Sequence, residues 1–408
     1  MKEFFSVETI ESVLAHAASF APVETESVSL AQSLGRVLAE PIFSDVDIPD
    51  FNRSTMDGFA VKAASTFGAS EANPAYLTVQ GQIRMGVRPD FSIGPGEAAR
   101  IATGGMLPDG ADSVVMVEHT DALDDVTIEA YRSVAPGQHV IEKGEDIRHT
   151  EAALQKGLRI RPQEAGLLAA CGRTEITVYR RPLVGIISSG DEVVSVDRVP
   201  GEGQIRDINT HTLAGQVLEA GGVPVTFGIV GDNRHELLEK SRRALELTDM
   251  VLISGGSSVG VRDYTLEVLD ALPDSAVLVH GISISPGKPT ILARCGAKAF
   301  WGLPGHAVSA MVVFAVVVRP FLDRLCGLAQ PARRFAVPAI LSRNLASAQG
   351  RVDYVRVKLA QSDGVVVAEP ILGKSGLINT MVKADGLIAI DLNSEGLDRG
   401  ATVAVIPL

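Results

Sequence analysis

The stretch from Met250 to Thr265, MVLISGGSSVGVRDYT, decides how the chain is read. Met250 to Ile253 is a short, branched, wholly apolar run of the kind that forms a strand buried on both faces. Ser254, Gly255, Gly256, Ser257, Ser258, Val259 and Gly260 interrupt it, and a helical pattern resumes at Asp263 with Leu266, Val268 and Leu269 as apolar positions. Asp263 stands where an N-cap or first-turn acid belongs. A Gly/Ser loop between a strand's end and a helix's start aims several backbone N–H groups into one small volume. With the positive end of the helix dipole behind them, they make a cradle for an anion. An acid beside the cradle suits a divalent cation that bridges the carboxylate to a phosphate or oxyanion. An ordinary strand-to-helix turn reads the same way.

The residues before this stretch repeat its logic. Leu183 to Ile187 reads as a buried strand ending in Ser188–Ser189–Gly190–Asp191–Glu192, and Asn209 to Ala220 as a helix. Val223 to Val230 is a second strand, ending in Gly231–Asp232–Asn233, and His235 to Glu246 a second helix. Alternating strands and helices predict a parallel sheet with helices on both faces, a three-layer α/β domain. Ligands of such sheets bind outside the carboxyl ends of the strands. Three successive strand ends carry an acid, at Asp191/Glu192, Asp232 and Asp263. A lone strand-end Asp is usually a helix cap, but three on one edge favour a cation and phosphate site.

Beyond this centre the pattern changes. Ser6 to Ala18 predicts an amphipathic helix capped by Ser6, and Leu30 to Leu38 a second short helix. Asp45 to Ala60 is irregular and polar, either a solvated loop or part of a site. Ala75 to Val140 alternates in short strands with Gly/Pro turns and predicts a small β domain. Arg161 to Ala170 predicts a helix with Pro162 at its first position and Glu164 in its first turn. Ile282–Thr290 and Trp301–Ala310 each join a Pro-Gly turn to a ligand-capable group, Lys288 in one, His306 and Ser309 in the other. Val308 to Val318 is too short to span a bilayer and predicts a buried element. After Gln330–Pro331, short strands return and predict a terminal β-barrel or sandwich.

With 408 residues the chain is too long for one core. Hydrophobic residues at 46% exclude a mostly disordered protein, and a net charge of −12 argues against general affinity for nucleic acid or anionic membrane. Cys171, Cys295 and Cys326 form no metal spacing, which suits a reducing compartment. MKEFFSVETIESVL carries acids where a signal peptide needs an apolar core, so a cytoplasmic protein is expected.

The set RSTMDGFA (53–60), RIATGG (100–105), GED (144–146), SSGDE (188–192), ISGGSSVGVRDYT (253–265), PGKP (286–289), GLPGHAVSA (302–310) and SGLINTMVKADGL (375–387) resembles the molybdopterin molybdenumtransferase family. This MoeA family includes the gephyrin E domain. The resemblance covers nearly the whole chain, with its motifs in the family's order. It implies a multidomain α/β plus β protein. A discontinuous helical and extended domain would take 1–45 and 143–179, and a β insertion 46–142. An α/β domain like that of molybdopterin adenylyltransferases would take 180–328, and a C-terminal β-barrel-like domain 329–408. It also implies a homodimer whose cleft lies between the α/β domain of one subunit and the insertion of the other.

The implied reaction hydrolyses adenylylated molybdopterin, releasing AMP while molybdate joins the dithiolene, with Mg²⁺, or Zn²⁺ in some systems. Glu192, Asp232 and Asp263 match family acids on the metal and phosphate side. Asp57, Asp146 and Thr103 match functional positions reached from the insertion and its flank. Ser254, Gly255, Gly256, Ser257, Ser258 and Gly260 match the substrate-binding loop, and Lys288, Pro304, Ser309 and Ser375 further substrate-binding positions. Implied partners are a molybdopterin adenylyltransferase and downstream cofactor-handling proteins, with neither nucleic acid nor membrane. Ser285 stands where the family pattern has Lys, His306 and Ala307 stand for Asn and Pro, and Ile141–Glu142–Lys143 keeps one positive charge. These departures lower the positive potential where an oxyanion should bind. Alternatives are a paralogue preferring tungstate, a molybdopterin adenylyltransferase, and a non-catalytic pterin-binding scaffold. An adenylyltransferase needs neither flanking β domain, and a scaffold has no use for clustered acids.

Overall fold

The computed structural model describes residues 7–255, 264–330, 335–362 and 364–408. The chain gathers into two compact units. One is built from the chain up to Glu40, Lys156–Arg161 and Ile176–Leu408, the other from Pro41–Gln155 and Pro162–Glu175. Among the described residues no helix is long and apolar enough to cross a membrane.

The second unit is built on a six-stranded sheet. Its strands run in the order Ser113–Met116, Gly58–Val61, Glu97–Ile101, Ala75–Gln82, Thr127–Ala130 and Thr120–Ala122. Phe59, Val61, Leu77, Ala98, Val115 and Ile128 fill one of its faces. Gly58 is required in its strand: a Cβ there would sit 2.0 Å from the Val115 carbonyl oxygen. Pro162–Ala170 is a helix, as its N-terminal proline and Glu164 predict.

In the first unit, β1 (Leu183–Ser189), β2 (Val223–Val230), β3 (Met250–Ser254), β4 (Ser275–His280), β5 (Ile291–Cys295) and β6 (Lys298–Leu303) form one sheet. The order is β2-β1-β3-β6-β5-β4, and the first four are parallel. The sheet is thus longer than the three strands the alternating pattern predicted, since β6 adds a fourth parallel strand and β5 and β4 extend it antiparallel. Successive strand residues face opposite sides, and both sides are buried. Ile186, Met250, Leu252 and Trp301 pack on α1 (Asn209–Ala220) through Leu213 and Val217. Ile187, Val251, Ile253 and Phe300 pack on α2 (Arg234–Leu247) and α3 (Tyr264–Ala271) through Leu237, Ala244, Val268 and Leu269. Each such side chain contributes about 1.5–3 kcal/mol of burial, which is why the strands read as unbroken apolar runs.

The C-terminal region is a closed barrel rather than a sandwich. Val352–Ser362 pairs with Val365–Pro370 on one side and Gly386–Ile390 on the other, and Val337–Leu341 and Thr402–Pro407 complete the ring. Ile284–Ser285 joins it as an extra parallel strand against Val352 and Asp353.

Two N-terminal expectations need correction. The first helix covers only Ile10–Ala15 and is capped by Thr9, whose hydroxyl accepts from the Ser12 amide; His16–Ser19 continues as a tighter 3₁₀ turn. Ser6, the expected cap, lies outside the described residues. Leu30–Leu38 is a 3₁₀ turn over Leu30–Gln32 followed by a strand at Val37–Leu38, because Gly35 takes φ +76° and turns the chain between them. The buried run after His306 is α4 (Ala307–Val313), continued by a π-helical turn at Phe314–Val318.

Candidate active site

The sheet's winding reverses between β1 and β3. From β1 the chain crosses to β2 on one side, then returns to β3 on the other, so the carboxyl ends of β1 and β3 flank a topological switch point. A crevice opens there, lined by Ser188, Ser189, Glu192, Asp207, Ser254 and Gly255. The strand ends approach closely because Gly255 has no side chain: at φ +105° a Cβ would lie 2.1 Å from the Ser189 carbonyl oxygen. Gly190 has the same role one strand over, where a Cβ would lie 2.5 Å from a Glu192 carboxylate oxygen.

The crevice floor is a hydroxyl–carboxylate network that the sequence did not reveal. Ser188 Oγ donates to Asp207 Oδ1 at 2.9 Å, and the Thr210 amide donates to the same oxygen at 3.1 Å. Ser188 then accepts from Thr210 Oγ1 (3.0 Å) and lies 3.5 Å from Ser254 Oγ. Asp207 stands in a non-periodic segment before α1; its bond from the Thr210 amide is local and reads as an ordinary helix cap, whereas its bond from Ser188, 19 residues away, is what places it on the crevice floor.

Glu192 and Asp232 extend from the ends of β1 and β2, as expected. Asp191 Oδ1 accepts from the Asp232 amide at 2.8 Å. Desolvation, followed by the charges of Asp191 and Glu192, holds the Asp232 carboxyl above its ordinary value. Such like-charge pressure is what a divalent cation relieves, so these residues fit Mg²⁺, which takes one or two carboxylates and fills its shell with phosphate oxygens and water. Among the described residues no group of three His, Cys, Asp or Glu side chains could hold an ion alone. Asp263, Gly256, Ser257, Ser258 and Gly260 lie outside the described residues.

A larger cleft of about 670 Å³ adjoins the crevice and shares Glu192, Gly255 and His306 with it. One wall is the Pro286–Pro289 turn carrying Lys288; another is the loop carrying Pro304, His306 and Ser309. The third comes from the barrel, through Arg351 and Ser375. Pairing of Ile284–Ser285 with Val352–Asp353 brings Arg351 to the turn, and the Val308 amide donates to the Ser375 carbonyl (3.2 Å). Ser375 Oγ lies 2.7 Å from His306 Nδ1. The structure therefore brings Glu192, Ser254, Gly255, Lys288, Pro304, Ser309 and Ser375 together on two adjoining clefts. Arg351, which was not foreseen, joins Lys288 in the larger cleft, and Arg206 lines the crevice.

The other expected residues belong to the second unit. Asp57 accepts from the Thr103 amide (2.7 Å) and hydroxyl (3.1 Å), and these bonds hold its carboxyl below its ordinary value. It lines a separate cleft of about 360 Å³ with Gln82 and Arg100. Asp146 lies exposed in a turn whose amide donates to the Ile48 carbonyl at 3.0 Å.

Known proteins share this architecture. Residues 6–172 match the MoeA N-terminal region (domains I and II), residues 185–324 a probable molybdopterin-binding domain, and residues 338–408 the MoeA C-terminal region (domain IV). The molybdopterin molybdenumtransferase of Bacillus subtilis is 32% identical over 94% of this chain and 90% of its own. That of Haemophilus influenzae is 32% identical over 95% and 94%. A crystal structure of the molybdopterin biosynthesis moeA protein from Pyrococcus horikoshii superposes with a TM-score of 0.85 at 31% identity, covering 99% of this chain and all of that one. With all three regions matched in order, the chain belongs to the MoeA family.

Proposed function

We propose that the chain is a molybdopterin molybdenumtransferase of molybdenum-cofactor biosynthesis, acting on adenylylated molybdopterin and molybdate with release of AMP. The observation that carries this reading is the pair of adjoining clefts. One has hydroxyls and a strand-end carboxylate at a switch point; the other has two cations and Ser375 on three walls. A pyrophosphate ester suits the first, and a tetrahedral oxyanion suits the second.

Ser254, Gly255, Gly256, Ser257, Ser258 and Gly260 bind the phosphates in this reading. Lys288, Arg351 and Ser375 hold the oxyanion, and Pro304 and Ser309 shape the wall between them. Glu192 and Asp232, with Asp263, are the groups that would hold Mg²⁺. Bound there, it would neutralise phosphate charge so that attack on the pyrophosphate is no longer opposed by its anions. Asp57, Asp146 and Thr103 are further proposed participants. The reading includes a cytoplasmic homodimer supplied by a molybdopterin adenylyltransferase and feeding cofactor-handling proteins.

The test is AMP release from adenylylated molybdopterin with Mg²⁺, comparing molybdate, tungstate and no added anion. Molybdate-driven release is expected. Release only with tungstate would assign the chain to that anion, with Ser285, His306 and Ala307 as the changed residues. Tight pterin binding with no release under any anion would overturn catalysis in favour of a carrier or scaffold.

A further inference from the structure

Ser375 is fixed against the loop at His306 by its backbone as well as its side chain, since its carbonyl takes the Val308 amide. The 2.7 Å contact between its hydroxyl and His306 Nδ1 is therefore a held geometry, at the edge of the cleft that Lys288 and Arg351 share. A serine hydroxyl has one proton and two lone pairs, and a neutral imidazole one N–H and one bare nitrogen. Two arrangements satisfy the contact. With Nδ1 bare, Ser375 gives its proton to the histidine and turns only lone pairs toward the cleft. With hydrogen on Nδ1, His306 donates to Ser375 Oγ, and the hydroxyl proton is left to point into the cleft. The first arrangement repels an anion; the second offers it a donor.

We propose that His306 is a positioning residue that, by donating from Nδ1, turns the Ser375 hydroxyl into a donor toward a tetrahedral oxyanion and so sets the cleft's anion affinity. The inference rests on the reading of this cleft as the oxyanion site. Coupling is reciprocal: a bound anion favours hydrogen on Nδ1, and hydrogen on Nδ1 favours the anion. Charged groups line the clefts beside the pair: Lys288 from the Pro-Gly turn, Arg351 with its partner Asp353 at 3.0 Å from the barrel, Glu192 from the β1 end, and Arg206 and Asp207 before α1.

The test is calorimetric titration of the full-length protein with molybdate, and separately with tungstate. His306→Phe should bind about tenfold more weakly than wild type, the scale of one hydrogen bond to an anion. His306→Asn, whose amide can donate to Ser375, should keep the affinity. Ser375→Ala should match His306→Phe, and the double variant should lose nothing more than either alone. His306→Phe that binds as tightly as wild type, His306→Asn that binds as weakly as His306→Phe, or losses that simply add in the double variant, would overturn the inference. Wild type that binds neither anion would overturn the oxyanion reading itself, and this inference with it.

Discussion

The two ends of the parallel strands carry acids of opposite character. At the amino end, Asp249 precedes β3 and is fully engaged. Arg180 clamps it through two nitrogens at 2.6 Å each, and the Leu183 amide donates to it at 2.7 Å. Glu24 takes a further bond from Arg180 Nε at 2.7 Å. Hydrogen bonding to Asp249 above all, and then to Glu24, drives the Arg180 guanidinium further toward its charged form. At the carboxyl end, desolvation and then the charges of Asp191 and Glu192 work against ionisation of Asp232. The same carboxylate chemistry locks the sheet at one edge and is held in tension at the other. Charge matched within the protein serves stability, whereas charge left to be matched by something else marks a ligand site.

The largest test of this contrast is Glu192→Gln. Removing one electrostatic group from the open edge should lower AMP release by about a hundredfold or more, with the melting temperature unchanged. A parallel drop in melting temperature would place Glu192 with the structural acids and break the comparison. Asp249→Asn is the converse. It leaves a bidentate guanidinium half-matched in a partly exposed position and should cost about 2 kcal/mol in urea unfolding, with activity per folded molecule retained. Gly255→Ala probes the backbone at the carboxyl end itself. Its Cβ meets the Ser189 carbonyl and its φ is positive, so a loss of about 1–3 kcal/mol is expected together with weakened substrate binding. Full stability in that variant would mean that the strand ends separate more readily than their packing indicates.

Which parts the sequence revealed follows from the same physics. Asn209–Ala220 and Val223–Val230 were readable to the residue, because a long apolar stripe and a Gly221 cap leave little choice of register. Glu192 and Asp232 were readable because the end of an apolar run locates them without any tertiary information. Leu30–Leu38 was misread because a few apolar residues around Gly35 satisfy a helical spacing that a left-handed glycine then breaks. Strands β4, β5 and β6 escaped notice, although Ala276–Val279 is itself an apolar run, because no helix separates them and the strand–helix alternation therefore stops before they are reached. Arg351 and Asp207 were hidden for a different reason. Each reaches its cleft through a long-range contact, the barrel strand pairing in one case and the Ser188 hydroxyl in the other. Local pattern contains neither.

The smallest expected effect is the most discriminating, because it concerns stability alone. Asp232 has an ordinary value of 3.8 that is raised in the folded protein by desolvation and by the charges of Asp191 and Glu192. The folded state therefore binds this proton more tightly than the unfolded state. Its contribution to stability is full below 3.8 and is lost as pH rises through the raised folded value. At neutral pH wild type thus bears a small penalty that Asp232→Asn removes. The variant should melt slightly higher than wild type at neutral pH, and the difference should shrink or reverse in acid. Added Mg²⁺ should raise wild-type melting more than that of the variant, since a cation at this edge relieves the tension the substitution has already removed. A variant less stable than wild type at neutral pH, with no differential response to Mg²⁺, would mean that Asp232 is matched within the protein after all, like Asp249 at the other end of the sheet.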